Sequence, residues 1–337
     1  MVTQTRFRSS SLSNLYRYAW HTNPTLTLFV IFSAVMIIVG AGGIMLDPRT
    51  VLGQPDWTKT TKFAFSFVAY GATLLWVLAL LRQNGRVNRI IRVMGHATGG
   101  VLSFEMLLLI TQAVRGRPMH FNYATPLDTA LWMAMGATVY MLYAVTLVGL
   151  IVLAFQRLSE RSLSHAIKLG LIISAFGMGL AIPMTSPNAA QRAALASGQH
   201  LDLIGAHTVG AFDGGPGLPF LGWSTQHGDL RVAHFLGLHA AQVVPLAALW
   251  VSRRRRWSPG ARVAVVWTGA FYYLGLILLT FFQALRGQSI IAPDALQLGL
   301  LGILTLGVTL ALLGIWATAR RTQPTAPSTE AHTLSPH

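Results

Sequence analysis

The chain has 337 residues, 53% of them hydrophobic and only 10% charged, with a mean hydropathy of +0.53. A soluble domain carries about 25% charged residues, so this composition cannot cover a water-facing surface and specifies an all-α polytopic membrane protein. The absence of cysteine excludes disulfides, thiolate metal sites and thiol nucleophiles. The formal charge of +15 raises nucleic-acid binding, which its distribution along the chain argues against.

Residues 1–25 form a polar leading segment, and no small-residue cleavage site follows the first apolar run, so no cleaved signal peptide is expected. Eight apolar runs follow, near 26–46, 61–81, 91–114, 130–155, 166–185, 232–251, 263–284 and 296–318. Each is long enough to cross about 30 Å of hydrocarbon. Backbone amides in lipid must pair internally, so each run is expected to be a helix. The tail 322–337, rich in Pro, Ser and Thr, reads as disordered.

The two terminal segments and the connections after the second, fourth and sixth spans (82–92, 156–168 and 252–262) hold 17 Lys and Arg from Arg6 to Arg321, and the other connections hold 8. By the positive-inside rule both termini are cytoplasmic. The expected location is a bacterial cytoplasmic membrane, with membrane lipids as partners and no nucleic acid. All seven aspartates and six of the eleven histidines fall on the opposite, outer side. Mixed charges and imidazoles build sites, whereas a one-sided basic field sets topology.

The third span ends "ITQAVRGRP" and the seventh "FFQALRGQS", which aligns Gln112 and Arg115 with Gln283 and Arg286. The second begins "KTTKFAF" and the sixth "RVAHFLG", aligning Lys59 and Lys62 with Arg231 and His234. The expected plan is two four-helix units in parallel tandem, 26–160 and 161–321. Such parallel repeats occur in transporters. In span count and 4+4 plan the chain also resembles haem A synthase. That family carries histidines in the even spans of both halves, whereas here only the sixth span has them, so the resemblance stops at the plan.

The connection 186–231 is too long for a passive turn. "SPNAAQRAALASG" reads as a short helix capped by Ser186 with Pro187 in its first turn. The rest interleaves apolar residues with Gly and Pro, and an ordered lid over the outer mouth is expected. It leads into "GDLRVAHFLGLHAAQ", where Asp229, Arg231, His234, His239 and Gln242 crowd the start of the sixth span. Arg231 and His234 share one helical face, and His239 and Gln242 share a deeper one. The two histidines lie about 140° apart and cannot easily chelate one metal without a third element.

The candidate catalytic residues are His239, His234, Asp229 and Arg231. Cofactor contacts are expected from His120, His207, Arg115, Arg286, Gln112, Gln242 and Gln283. Metal ligands are sought among His120, His207, His234, His239 and Asp213, with a metal ion or haem as the suspected cofactor. Lys59 and Lys62 complete the basic rim. Glu105 is the one carboxylate inside a predicted span, and intramembrane carboxylates are functional by default. These residues suit a membrane enzyme or redox protein acting at the outer face on a lipid-soluble or anionic small molecule. The alternatives are a transporter or channel using Glu105 and the outer pocket, or an accessory subunit of a membrane complex.

Overall fold

The computed structural model describes residues 12–81, 86–156, 158–254 and 256–321. Arg6, Arg8, Arg82, Arg157, Arg255 and the tail 322–337, all used in the sequence reading, lie outside the described residues. Eleven α-helices are described: α1 (Leu12–Thr22), α2 (Pro24–Leu46), α3 (Trp57–Leu80), α4 (Arg86–Arg115), α5 (Pro126–Ala154), α6 (Arg161–Gly179), α7 (Ala189–Ala196), α8 (Leu230–Leu238), α9 (Ala240–Ser252), α10 (Pro259–Leu285) and α11 (Ala295–Arg321). Seven are long and apolar enough to cross a membrane, and the bent pair α8–α9 makes an eighth if counted as one span.

Helix starts are written locally. Asn23, Thr125 and Ser258 each accept a backbone N–H of the first turn, and each precedes a proline at the first helical position, where the missing N–H costs nothing. Several helices begin a turn before the apolar run. Polar residues prolong a helix into the interface, where hydropathy no longer reports it. Helix α1, eleven residues within the leading segment, was not anticipated from the sequence. It is short, exposed and polar, with Tyr16 stacked near Trp20. The short helix after the fifth span is present, but its cap is Asn188, not Ser186. Asn188 and Gln191 form a reciprocal capping box, which satisfies two end donors where Ser186 would satisfy one.

Neighbour relations repeat along the chain. Helix α2 packs on α3 and α4, α3 on α4, and α4 on α5; α6 packs on α8–α9 and α10, α8–α9 on α10, and α10 on α11. The two sets meet where α3 touches α9 and α5 touches α6. One apolar cluster around Leu26, Phe29, Phe67 and Met106 fills the first set. A second, with Val77, Ile167, Val244 and Ile277, knits α3 to α6, α9 and α10.

The ends of α4 and α10 are built alike. Gln112 Nε2 donates to the Pro118 carbonyl and Gln283 Nε2 to the Ser289 carbonyl, each six residues on. Gly116 and Gly287 then turn the chain at positive φ, 64° and 75°. Arg115 pairs with Asp128 at 2.6 Å and Arg286 with Asp294 at 2.5 Å, each aspartate lying at the start of the following helix.

The sixth span bends by 48° at His239, although its hydropathy runs on without a break. Gln242 N–H turns to the His239 carbonyl, so the carbonyls of the preceding turn need other donors. Ser174 Oγ supplies Leu238 O at 3.0 Å and the Tyr273 hydroxyl supplies Leu236 O at 2.7 Å. Side chains inserted into a helical ladder bend it, and Pro245 below removes a further donor.

Residues 186–229 lie across one end of the bundle. Two-residue strands β1 (Thr50–Val51) and β2 (Gln54–Pro55) form a hairpin before α3, and β3 (Thr208–Val209) pairs antiparallel with β4 (Gly228–Asp229). Further bonds tie the segment down: Ile204 N–H to Phe121 O, Tyr123 N–H to Asp202 O and Ser289 Oγ to Ser224 O.

Candidate functional site

Beneath that segment, α3 presents Lys59, Lys62 and Ser66 along one stripe, at the three- and four-residue spacing of a helical face. The two lysines have different roles. Lys62 Nζ donates to the Leu221 carbonyl at 2.8 Å and reaches Gln54 Oε1 at 3.4 Å. Arg231 grips Asp229 with Nε and Nη2 and donates from Nη2 to the Gly222 carbonyl at 2.5 Å. Both cations therefore fasten the 221–222 turn. Asp229 also caps α8 and takes the Ser224 N–H at 2.8 Å. Lys59, a turn earlier, makes no hydrogen bond or ion pair among the described residues. It lies within electrostatic reach of Arg231, Lys62, Asp213 and Glu105.

Three imidazoles gather around it. His120 follows the α4 end and sits in an aromatic frame of Phe63, Phe121, Trp132 and the His207 ring, whose centroid is 6.2 Å away. Burial first, then the nearby Lys59, hold its pKa well below the ordinary histidine value, so it is neutral at pH 7. His207 Nδ1 meets Asp213 Oδ2 at 2.5 Å. Burial drives His207 down to about 4 even against this carboxylate. Burial is also the largest influence on Asp213 and pushes it up. The His207 ring and the backbone N–H groups of His207 and Thr208 outweigh it and hold Asp213 well below the carboxylate range. The pair at neutral pH is thus carboxylate and neutral imidazole, with Nδ1–H donating to Asp213 and Nε2 left as a lone-pair base. His234 donates from Nδ1 to the Gly177 carbonyl at 2.8 Å, which likewise leaves its Nε2 as an acceptor, and it acts electrostatically on His120.

Deeper, at the helix break, His239 Nδ1 donates to Gln242 Oε1 at 3.1 Å and its Nε2 faces Ser66 Oγ at 3.4 Å, with Phe235 against the ring. Glu105 is buried within α4 and accepts the Thr138 hydroxyl at 2.5 Å.

The structure thus brings together Lys59, Lys62, His120, His207, Asp213, Arg231 and His234, with Glu105 and the His239–Gln242 pair below. It sets four candidates apart. Gln112 and Arg115 are spent on buried Asp128, and Gln283 and Arg286 on Ser289 and Asp294, all at helix ends. Among the described residues, no three His, Asp or Glu side chains are placed to hold a metal ion. Sequence reasoning did not single out Ser66, although it continues the Lys59–Lys62 stripe, nor the Phe63 and Trp132 rings that frame His120. No family model, curated protein or solved structure matches the chain, and the functional reading rests on this geometry.

Proposed function

We propose that the chain is an integral membrane enzyme of a bacterial cytoplasmic membrane, with both termini cytoplasmic. Its site is extracytoplasmic, beneath a lid formed by 186–231, and it transfers protons at the anionic head group of a lipid-soluble substrate. The observation that carries this reading is an unpartnered, buried Lys59 amino group beside imidazoles, one of them oriented by a carboxylate. Lys59 takes the anionic group. His207 Nε2 accepts a proton from substrate or water, and Asp213 stabilises the imidazolium that forms. His120 and His234 offer further neutral acceptors. Lys62 and Arg231 hold the lid turn and exclude water while it is closed. Each of these roles falls to a residue of the chain itself.

The same reading takes the molecule as a parallel duplication. The matching neighbour relations and the matching Gln–Gly–Arg–Asp ends of α4 and α10 support it. A transport reading is favoured by one observation: the polar column continues inward from the site to Glu105 and the broken span at His239.

The test uses the protein in lipid nanodiscs. Dodecyl phosphate is expected to bind more tightly than dodecyl maltoside by calorimetry, and Lys59→Met to weaken it about 10- to 100-fold, the scale of a charge-assisted hydrogen bond. Incubation with long-chain phosphate and carboxylate esters should give product by mass spectrometry with the wild type and none with His207→Gln. Equal binding of the two amphiphiles, or no effect of Lys59→Met, overturns the anionic-site reading. Flux across proteoliposomes without chemical conversion replaces the enzyme by a transporter.

A further inference from the structure

A cavity of about 80 Å³ lies on the far side of the helix break, between α3, α4, α5, α6 and α9. From Tyr70, Thr98 and Gln242 near mid-span it runs down to Leu81, Ile91 and Leu153 near the opposite helix ends. Tyr70 to Leu81 is about 16 Å of helix. Among the described residues, no charged side chain lines it. Thr73 and Thr146 spend their hydroxyl donors on their own helices, at Ala69 O and Leu142 O.

Gln242 carries a buried amide donor without a partner among the described residues. It is 7% exposed, and its Oε1 is taken by His239 Nδ1. That donor is its Nε2, and Gln242 is one of the residues that line the cavity. A buried amide donor in hydrocarbon is costly unless something accepts from it. Only an acceptor can fill the role, because the amide already receives its proton from His239. Among the described residues no cation lines the cavity, and a bare anion there would be desolvated without compensation. A neutral carbonyl oxygen remains. The ester carbonyls of bulk phospholipid lie at the interface, whereas Gln242 is ten residues from the end of α9, about 15 Å deep.

We infer that this cleft is a binding site for a neutral lipid of the alkyl- or isoprenyl-chained carbonyl class. Gln242 Nε2 donates to its carbonyl, and its chain lies along α3 and α5 toward Leu81 and Leu153. The site is separate from the one roofed by 186–231 and does not depend on the acid–base reading above. The His239–Gln242 hydrogen bond is the joint between the two.

The experiment photolabels the full chain in nanodiscs with a decyl-substituted para-benzoquinone carrying a diazirine on its chain. Labelled residues are located by mass spectrometry. Saturable labelling of α3 and α5 residues lining the cleft is expected, displaced by unlabelled decyl-benzoquinone and not by decylcyclohexane. Gln242→Leu should weaken binding about tenfold, the loss of one hydrogen bond. Val145→Phe, which fills the cleft without touching Gln242, should abolish labelling while thermal melting stays unchanged. Should Gln242→Leu fail to fold, Val145→Phe and the decylcyclohexane comparison decide alone. Labelling that rises linearly with probe, that falls on the exposed faces of α11, or that decylcyclohexane displaces equally would overturn the inference.

Discussion

At the scale of single residues, the protein places two imidazoles, His120 and His207, where they stay neutral at pH 7. His207 titrates near 4 instead of 6.5 because it is buried, and His120 is shifted the same way. The folded state therefore binds fewer protons than the unfolded chain between these values, so stability rises with pH across the window. The contribution is complete above 6.5 and is lost as pH falls through 4; Asp213, also depressed, adds its loss at still lower pH. Detergent-solubilised protein should melt at progressively lower temperature from pH 6.5 to 4, and His207→Gln should flatten that slope. Asp56 runs the other way. Burial raises it to about 6 from 3.8, so it costs stability as pH climbs between those values, and Asp56→Asn should remove that part of the profile. The imidazoles and lysines could be picked out of the sequence by type and side. Which nitrogen is free could not, because Nδ1 of His207 is claimed by a loop residue and Nδ1 of His234 by the Gly177 carbonyl.

At the scale of elements, the bent sixth span contributes both to the site under 186–231, through Arg231 and His234, and to the cleft, through Gln242. Its freed carbonyls are held by Ser174 and Tyr273, so Tyr273→Phe leaves Leu236 O without that donor. A buried unsatisfied group costs about 1–3 kcal/mol, and thermal melting should register it, whereas Tyr272→Phe, on an exposed hydroxyl, should not. The close approach of α6 to α8 admits only glycine. A Cβ on Gly177 would lie 2.4 Å from Gly237 backbone atoms. Gly177→Val should therefore destabilise by at least about 1–3 kcal/mol of overpacking and displace the carbonyl that orients His234. Span positions were legible in the sequence because hydropathy acts locally, whereas the one cap read there, Ser186, gave way to Asn188. The bend was not legible, since the residues between Val232 and Val251 read as one apolar run. Its donors come from α6 and α10, 64 and 37 residues away in the chain.

At the scale of the whole molecule, the two sets of helices repeat the same neighbour relations but differ in how their end clamps are buried. Asp128 is fully buried against Arg115, while Asp294 and Arg286 are about one-third exposed. Asp128→Ala should lower the melting temperature clearly more than Asp294→Ala, because breaking a buried pair strands its partners and an exposed pair contributes little. Sidedness has a direct measurement, since the chain has no native cysteine. With Gln199→Cys or Gly260→Cys, both at exposed positions on opposite ends of the bundle, a membrane-impermeant maleimide applied to intact cells should label the first and spare the second. The sequence by itself determined the membrane-spanning helical class, the approximate place of each span and the end of the bundle where imidazoles and aspartates collect, because hydropathy and charge are summed over neighbouring residues. Only the tertiary structure decided which cation stays free. Lys62 finds its carbonyl at Leu221, 159 residues away, and Arg231 is closed down by Asp229 and Gly222. Lys59, on the same face as Lys62, is left without a hydrogen bond or ion pair because no backbone oxygen among the described residues folds back to meet it.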